Sequence, residues 1–358
     1  MLRVGNGDAL VRKRWMFSLC ILVLSCEVAA QVRVPAEWEA HAATWMQWPG
    51  RWEKAMRPAF ADIIDVIQGY EPVHLLTSSQ SKQAAAAQFL TAHGVPDTNI
   101  TWHIIPVDNA WMRDNGPVYV TDGTKMWVQN WKFDAWGGNF GADISGENDN
   151  LVPVRVAEYL GMSIEDHQDY ILEKGNLEFN GAGTLVLNWD CQDDRNPGLT
   201  PAEHETILME AFGLTRIIWA YSHVPEDGTT GHIDGTARFI DRNTIAIADS
   251  EWGSETEEPL AAACEAAGLR VVRIPCPGET NYMNWYVGNG FVAAMAFGDD
   301  KADAAATSQL EKLFPGRDVY MLDASSLWSA GGGIHCVTND QPVGKALLHR
   351  PTRRVVPR

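Results

Sequence analysis

Gly331-Gly332-Gly333-Ile334-His335-Cys336 sets a thiol behind three glycines. Glycine lets backbone approach a ligand closely and take dihedrals that other residues avoid. A cysteine so flanked is either a nucleophile, which needs a cation, imidazolium or helix N-terminus nearby, or a buried structural thiol, the commoner fate of a free cysteine. Gly231-His232-Ile233-Asp234-Gly235 places an imidazole and a carboxylate two residues apart. On an extended segment both then point the same way. His232 would move protons near neutral pH, while Asp234 would hold a cation. The same pair also suits a solvated surface or a fragment of a metal site, but no further His, Asp or Glu cluster shows metal spacing. Trp111-Met112-Arg113-Asp114-Asn115-Gly116-Pro117 packs an aromatic, a cation and an anion into one loop, where an Arg–Asp pair is often only a salt bridge. Glu173-Lys174-Gly175-Asn176 adds a carboxylate, and Asn281, Asn284 and Asn289 cluster in a fourth loop of common turn formers.

One cysteine, one histidine and two or three carboxylates fit guanidine hydrolysis. A planar guanidinium offers a fork of donors that carboxylates accept bidentately, leaving its carbon in line with a thiolate. A cysteine protease also pairs Cys with His, oriented by Asn or Asp. It needs no extra anions, and its Cys usually comes first, whereas His232 precedes Cys336 here.

The elements must bring these loops together. Six segments read as helices closed by a glycine: 57–70, 79–94, 154–161, 201–213, 257–268 and 303–316. Thr200 before Pro201 reads as an N-cap followed by an N1 proline. A short apolar strand follows each helix, at 73–77, 101–107, 163–167, 216–221, 269–275 and 318–322. Five of these strands lead into a polar loop carrying Asp114, Glu173, His232, Asn284 or Cys336. Such recurrence predicts five units arranged radially, with their loops meeting at one end. A doubly wound α/β sheet is the rival, but no Gly-x-Gly-x-x-Gly follows the first strand.

Composition is that of a globular chain. Its 358 residues are 46% hydrophobic and 21% charged, which excludes disordered, collagenous and coiled-coil classes. A net charge of −18 argues against nucleic acid and anionic membranes as partners. Arg12-Lys13-Arg14, the apolar run 15–25 and Val28-Ala29-Ala30 form the three parts of a secretory signal. The run is short for a bilayer span, so no stable membrane insertion is expected. The expected division is a signal at 1–30 and one domain at 31–358, exported to periplasm or medium. Val23-Leu24-Ser25-Cys26 offers a variant with lipid attachment at Cys26. Without residues 1–30 the chain keeps 24 basic and 44 acidic residues. In an exported protein, two of Cys191, Cys264 and Cys276 could form a disulfide. Of the 15 tryptophans, Trp111 is the candidate wall for a cationic substrate.

Several motifs together resemble one family. They are Pro35-Ala36-Glu37-Trp38-Glu39 with His41 and Ala43-Thr44-Trp45-Met46; Ala110 to Pro117; Phe133-Asp134-Ala135-Trp136-Gly137-Gly138; Asp194-Arg195-Asn196-Pro197; Gly231 to Asp234; Phe297-Gly298-Asp299; and Gly332 to Cys336. The chain resembles the agmatine deiminases, grouped with the Porphyromonas-type peptidyl-arginine deiminases in the pentein superfamily. The resemblance implies a single-domain, five-bladed α/β propeller that hydrolyses a guanidino group without metal or organic cofactor. By position, Cys336 matches the nucleophile, His232 the general acid and base, and Asp114 and Asp234 the guanidinium clamp. Glu173 matches a glutamate of a Glu-Gly-Gly stretch, whose first glycine is Lys174 here. Agmatine is the expected substrate, giving N-carbamoylputrescine and ammonia on a route to putrescine; peptidyl-arginine is the alternative. A cysteine protease and a catalytically silent guanidinium-binding propeller are more remote. Agmatine's ammonium tail wants an acid, for which Glu226 and Asp227 are placed, with Asn289 a further substrate contact. An arginine carboxylate would want a cation, such as Lys174.

Overall fold

The computed structural model describes residues 32–347 except 142–143, 223–226 and 252. The expected signal at 1–30, Cys26 and Glu226 lie outside the described residues. Its strands are β1 (His41–Gln47), β2 (Val73–Thr77), β3 (Ile100–Ile104), β4 (Val118–Thr121), β5 (Met126–Lys132), β6 (Ile164–Ile171), β7 (Glu178–Phe179) and β8 (Thr184–Asn188). The remainder are β9 (Arg216–Ala220), β10 (Ala237–Asp241), β11 (Thr244–Ser250), β12 (Arg270–Cys276), β13 (Tyr286–Gly288), β14 (Phe291–Ala296), β15 (Asp318–Asp323) and β16 (Asn339–Pro342). They form five separate sheets, in the orders β4-β5-β6, β7-β8-β9, β10-β11-β12, β13-β14-β15 and β16-β1-β2-β3. The chain is thus an α/β protein of five sheets, and the single doubly wound sheet is excluded.

One topology recurs. In each sheet the first two strands listed pair antiparallel and the second and third pair parallel. A helix makes each parallel crossover, as parallel pairing requires. These are Arg57–Gln68, Val152–Leu160, Pro201–Phe212, Glu257–Ala266 and Asp300–Leu313, with Gln80–Ala92 leading to the additional strand β3. All six helices and all six following strands expected from the sequence are present. The helix Arg57–Gln68 buries Phe60, Ile63, Ile64 and Ile67, the three-to-four spacing of one helical face. Thr200 caps Pro201–Phe212 through a reciprocal box with Glu203, and Gly213 ends it in the left-handed region at φ +63°.

The first sheet is completed by the last strand. β16 pairs with β1, so the two ends of the described chain meet in one sheet. Between the sheets lies a buried network of charge. Glu37, just before β1, accepts from Arg113 Nη2 at 3.0 Å, Arg238 Nη2 at 2.8 Å and the Val287 N–H at 3.0 Å. Arg113 also reaches Asp340 at 3.1 Å, Arg238 reaches Glu178 at 3.0 Å, and Lys174 reaches Asp340 at 2.8 Å. Strands of four sheets contribute a partner to this hub, and Arg113 joins it from the helix just before β4 of the fifth; the hub leaves a gap of only about 30 Å³. Lys174 is therefore a hub cation, not a receptor for a substrate carboxylate: its ammonium is buried and already paired.

Candidate active site

Each site side chain sits where the chain enters the first strand of one sheet. Asp114 lies in the short helix Met112–Asn115 before β4, and Glu173 precedes the turn into β7. His232 and Asp234 precede β10, Asn284 precedes β13, and Cys336 lies in the turn before β16. Equivalent positions in five units thus deliver the chemistry to one place. Alternate residues of these segments serve the hub: Arg113 beside Asp114, Lys174 beside Glu173, His335 beside Cys336.

The predicted quartet converges. His232 lies between two carboxylates, with Nε2 2.6 Å from Glu173 and Nδ1 3.5 Å from Asp114. Cys336 Sγ is 3.5 Å from Asp234 Oδ2 and 3.3 Å from Asn284 Nδ2. His232, Asp234, Asn284, Cys336 and Asp227 line a cavity of about 520 Å³. Asp114 is oriented by two donors, the Trp136 indole at 2.9 Å and the Gly175 N–H at 3.1 Å. A Cβ at Gly175 would stand 2.5 Å from both Asp114 Oδ1 and His232 Nδ1, and one at Gly332 would stand 2.6 Å from Trp111. Both glycines are there because the site needs backbone at that distance. Among the described residues, the non-glycine positive φ values fall at Ala135, Trp136 and Thr230. The first two aim the indole at Asp114. The third precedes Gly231 and His232, where Asn188 holds the Thr230 and Gly231 carbonyls at 3.0 and 2.7 Å. Such strained positions cluster at functional sites.

Burial and charge set the protonation states. Burial, then Asp234 and Asp114, push the Cys336 thiol well above its ordinary value. Burial disfavours the His232 imidazolium, but Asp114, Cys191 and Glu173 outweigh it and hold this group well above an ordinary histidine. Asp114 is raised to about 6, by burial first and by the Glu173 and Asp234 charges against the opposing pull of His232. Asp234 moves the other way, to about 2, because His335, His232 and Arg238 overcome its burial. The site thus holds a thiol and an imidazolium among carboxylates. A guanidinium entering between Asp114 and Asp234 would supply the positive charge that favours the thiolate.

Other expected contacts are placed differently. Asp227 lines the cavity, but its carboxylate already accepts from the Thr229 N–H (2.9 Å), the Thr229 hydroxyl (2.7 Å) and the Gly231 N–H (3.1 Å). It shapes the His232 loop. Asn289 is not at the cavity: its amide accepts from the His41 N–H at 2.9 Å and donates to the His41 carbonyl at 2.8 Å, tying β1 to the β13–β14 turn. No disulfide joins Cys191, Cys264 and Cys276, which are free and buried. Cys264 and Cys276 belong to different apolar clusters, and Cys191 faces Glu173 at 3.8 Å. Glu173, Cys191 and His232 each present a possible metal ligand within 4.8 Å of the others. However, Arg195 donates to both oxygens of Glu173, at 2.5 and 3.4 Å. A divalent cation would sit against that guanidinium.

Asn284, Arg195 and Trp136 are site residues that residue-type reasoning did not select. Arg195 and Trp136 stand in motifs that carry the family resemblance, which is the signal that points to them. Asn284 looked like an ordinary turn residue.

The model of the Porphyromonas-type peptidyl-arginine deiminase family matches residues 33–342. The agmatine deiminase of Pseudomonas aeruginosa (strain LESB58) is 31% identical, over 87% of this chain and 95% of its own. That of Ectopseudomonas mendocina (strain ymp) is 29% identical over 86% and 95%. Among solved structures, the agmatine deiminase of Enterococcus faecalis superposes with a TM-score of 0.79 at 24% identity, covering 87% of this chain and 96% of that one. The C. jejuni agmatine deiminase with substrate bound gives 0.77 at 23%, covering 88% and 97%. These two structures share the fold.

Proposed function

Because the chain belongs to the Porphyromonas-type peptidyl-arginine deiminase family, we propose that it hydrolyses the guanidino C–N bond of agmatine, releasing ammonia and N-carbamoylputrescine. The observation that carries this is the cavity wall: Cys336, His232 and Asp234 share it, with Asp114 Oδ1 3.5 Å from His232 Nδ1. The same wall favours agmatine over free arginine. Among the described residues lining it there is no lysine or arginine to take a substrate carboxylate. The hub holds Lys174, Arg113 and Arg238, and Arg155 donates to the Pro106 and Asn148 carbonyls at 2.7 and 3.3 Å.

The reaction runs in two halves. Asp114 and Asp234 accept the guanidinium, whose charge lets the Cys336 thiol give its proton to solvent. The sulfur forms a bond to the guanidinium carbon. As the C–N bond breaks, His232 gives its proton to the departing nitrogen, which leaves as ammonia. The amidino-thioether cation remains on Cys336. Neutral His232 then takes a proton from water and the hydroxide adds to the carbon; the hydroxyl proton passes to solvent as the C–S bond breaks with its electron pair going to sulfur, which releases the ureido product and the thiolate. Glu173 holds His232 through both halves and is itself held by Arg195.

The finer architecture is part of the proposal. Five sheets of one topology, with β16 closing the first, support five blades about a pseudo-fivefold axis. The basic, apolar and small-residue pattern at 12–30 supports export, with 31–358 as one catalytic domain. The test is ammonia release from agmatine, free arginine and a peptide containing arginine. Agmatine should be turned over with the highest kcat/KM; a preference for peptidyl-arginine would overturn the substrate assignment.

A further inference from the structure

The mechanism above uses Cys336 but gives its neighbour His335 no task, and it leaves the Glu37 motif unused. Both meet beside the nucleophile. The His335 ring is buried and faces a carboxylate at each nitrogen: Nδ1 is 2.7 Å from Asp234 Oδ2, and Nε2 is 2.8 Å from Glu37 Oε2. The oxygen it holds on Asp234 is the one 3.5 Å from Cys336 Sγ. Its backbone is held as well, since Arg113 Nε donates to the His335 carbonyl at 3.1 Å and Asn284 Oδ1 accepts from its N–H at 3.0 Å. We propose that His335, anchored by Glu37, is the positioning residue that holds Asp234 Oδ2 where it faces sulfur, draws charge from that oxygen by a hydrogen bond, and leaves Oδ1 for the guanidinium.

The physical need is specific. A carboxylate this close to sulfur clamps a guanidinium but also opposes formation of the thiolate. A hydrogen bond from Nδ1 to Oδ2 draws charge from the oxygen that faces sulfur and fixes the carboxylate plane. Glu37 in turn fixes the ring, because its other oxygen is held by Arg238 and the Val287 N–H. The hub is thereby connected to the nucleophile through one imidazole.

This inference rests on the reaction proposed above, and the two have separate tests. Asn at 335 puts an amide nitrogen near the Nδ1 place, and Gln puts one near the Nε2 place. His335→Asn should keep kcat within a few-fold of the parent, while His335→Gln should lose on the order of 10- to 100-fold, as when a supporting partner of a site group is removed. The pH profile of Cys336 alkylation by iodoacetamide should move to higher pH in His335→Gln alone. Losses that are equal in the two variants, or that follow their melting temperatures, would overturn the proposal. In case neither variant folds, the parent protein supplies a readout: the His335 Nδ1–H proton resonance should shift when guanidinium chloride fills the site. An unchanged resonance despite guanidinium binding would overturn it. If the parent releases no ammonia from agmatine, the function fails, while this resonance still decides the positioning.

Discussion

In the proposed reaction His232 is held by two carboxylates, and one of them is itself poised to titrate. Asp114, raised to about 6, must be ionised to clamp a guanidinium. Below that pH it is neutral, so kcat/KM should fall as pH drops through about 6. Asp114→Asn should lower kcat/KM and remove that limb from the pH–rate profile, which reports groups of the free enzyme. Gly175 bears on the same pair. A methyl there must displace Asp114 or His232, and misplacement by an ångström can cost about 10²-fold. Gly175→Ala should therefore lose about that much in kcat/KM while its circular dichroism spectrum stays unchanged. At this scale glycines and short spacings mark Cys336 and the His232–Asp234 pair as candidates, while Asp114 stands out only through the family resemblance; the structure brings the four side chains together. Cys191 is not marked in this way, since cysteine spacing along the chain says nothing of distance in space. Asn289 misleads for the same reason: sequence proximity to Asn284 places it beyond a strand, at the far end of the hairpin.

The helices announce themselves through apolar periodicity and a closing glycine, and the parallel strands through short apolar runs after them. The antiparallel partners stay hidden. β8 and β14 are buried almost throughout, so they carry no alternation to distinguish strand from helix. β7 and β16, reading Glu-Phe and Asn-Asp-Gln-Pro, are too short and polar to suggest a strand. Their polar side chains make sense only once the hub is known, because Glu178 and Asp340 pair there with Arg238, Arg113 and Lys174. The helix Pro201–Phe212 offers a clean test of local design. Its Thr200–Glu203 capping box satisfies two free N–H groups. Thr200→Ala should lower stability by about 1 kcal/mol in a denaturant titration, with kcat unaltered, since the Thr200–Glu203 cap is exposed and outside the cavity wall.

Across the described residues, one buried network joins strands of four sheets and the helix before the fifth, and His335 links it to the cavity of the proposed reaction. Glu37 is its most connected anion, and removing it leaves Arg113, Arg238 and His335 without a shared partner. Glu37→Ala should cost about 3–5 kcal/mol, the usual consequence of stranding buried charge, read as a lowered midpoint of chemical unfolding. The amino-terminal motif gave no hint of this in the sequence, because its partners lie 76 to 298 residues away. The reaction itself rests on one bond, between Cys336 sulfur and the substrate carbon. Acid-quenching the enzyme during turnover of agmatine and sequencing its peptides by mass spectrometry tests that bond directly. The expected result is an adduct of agmatine less ammonia on the peptide carrying Cys336, absent from Cys336→Ala, which should release no ammonia. Steady ammonia release by Cys336→Ala, with no adduct on the parent enzyme, would contradict it.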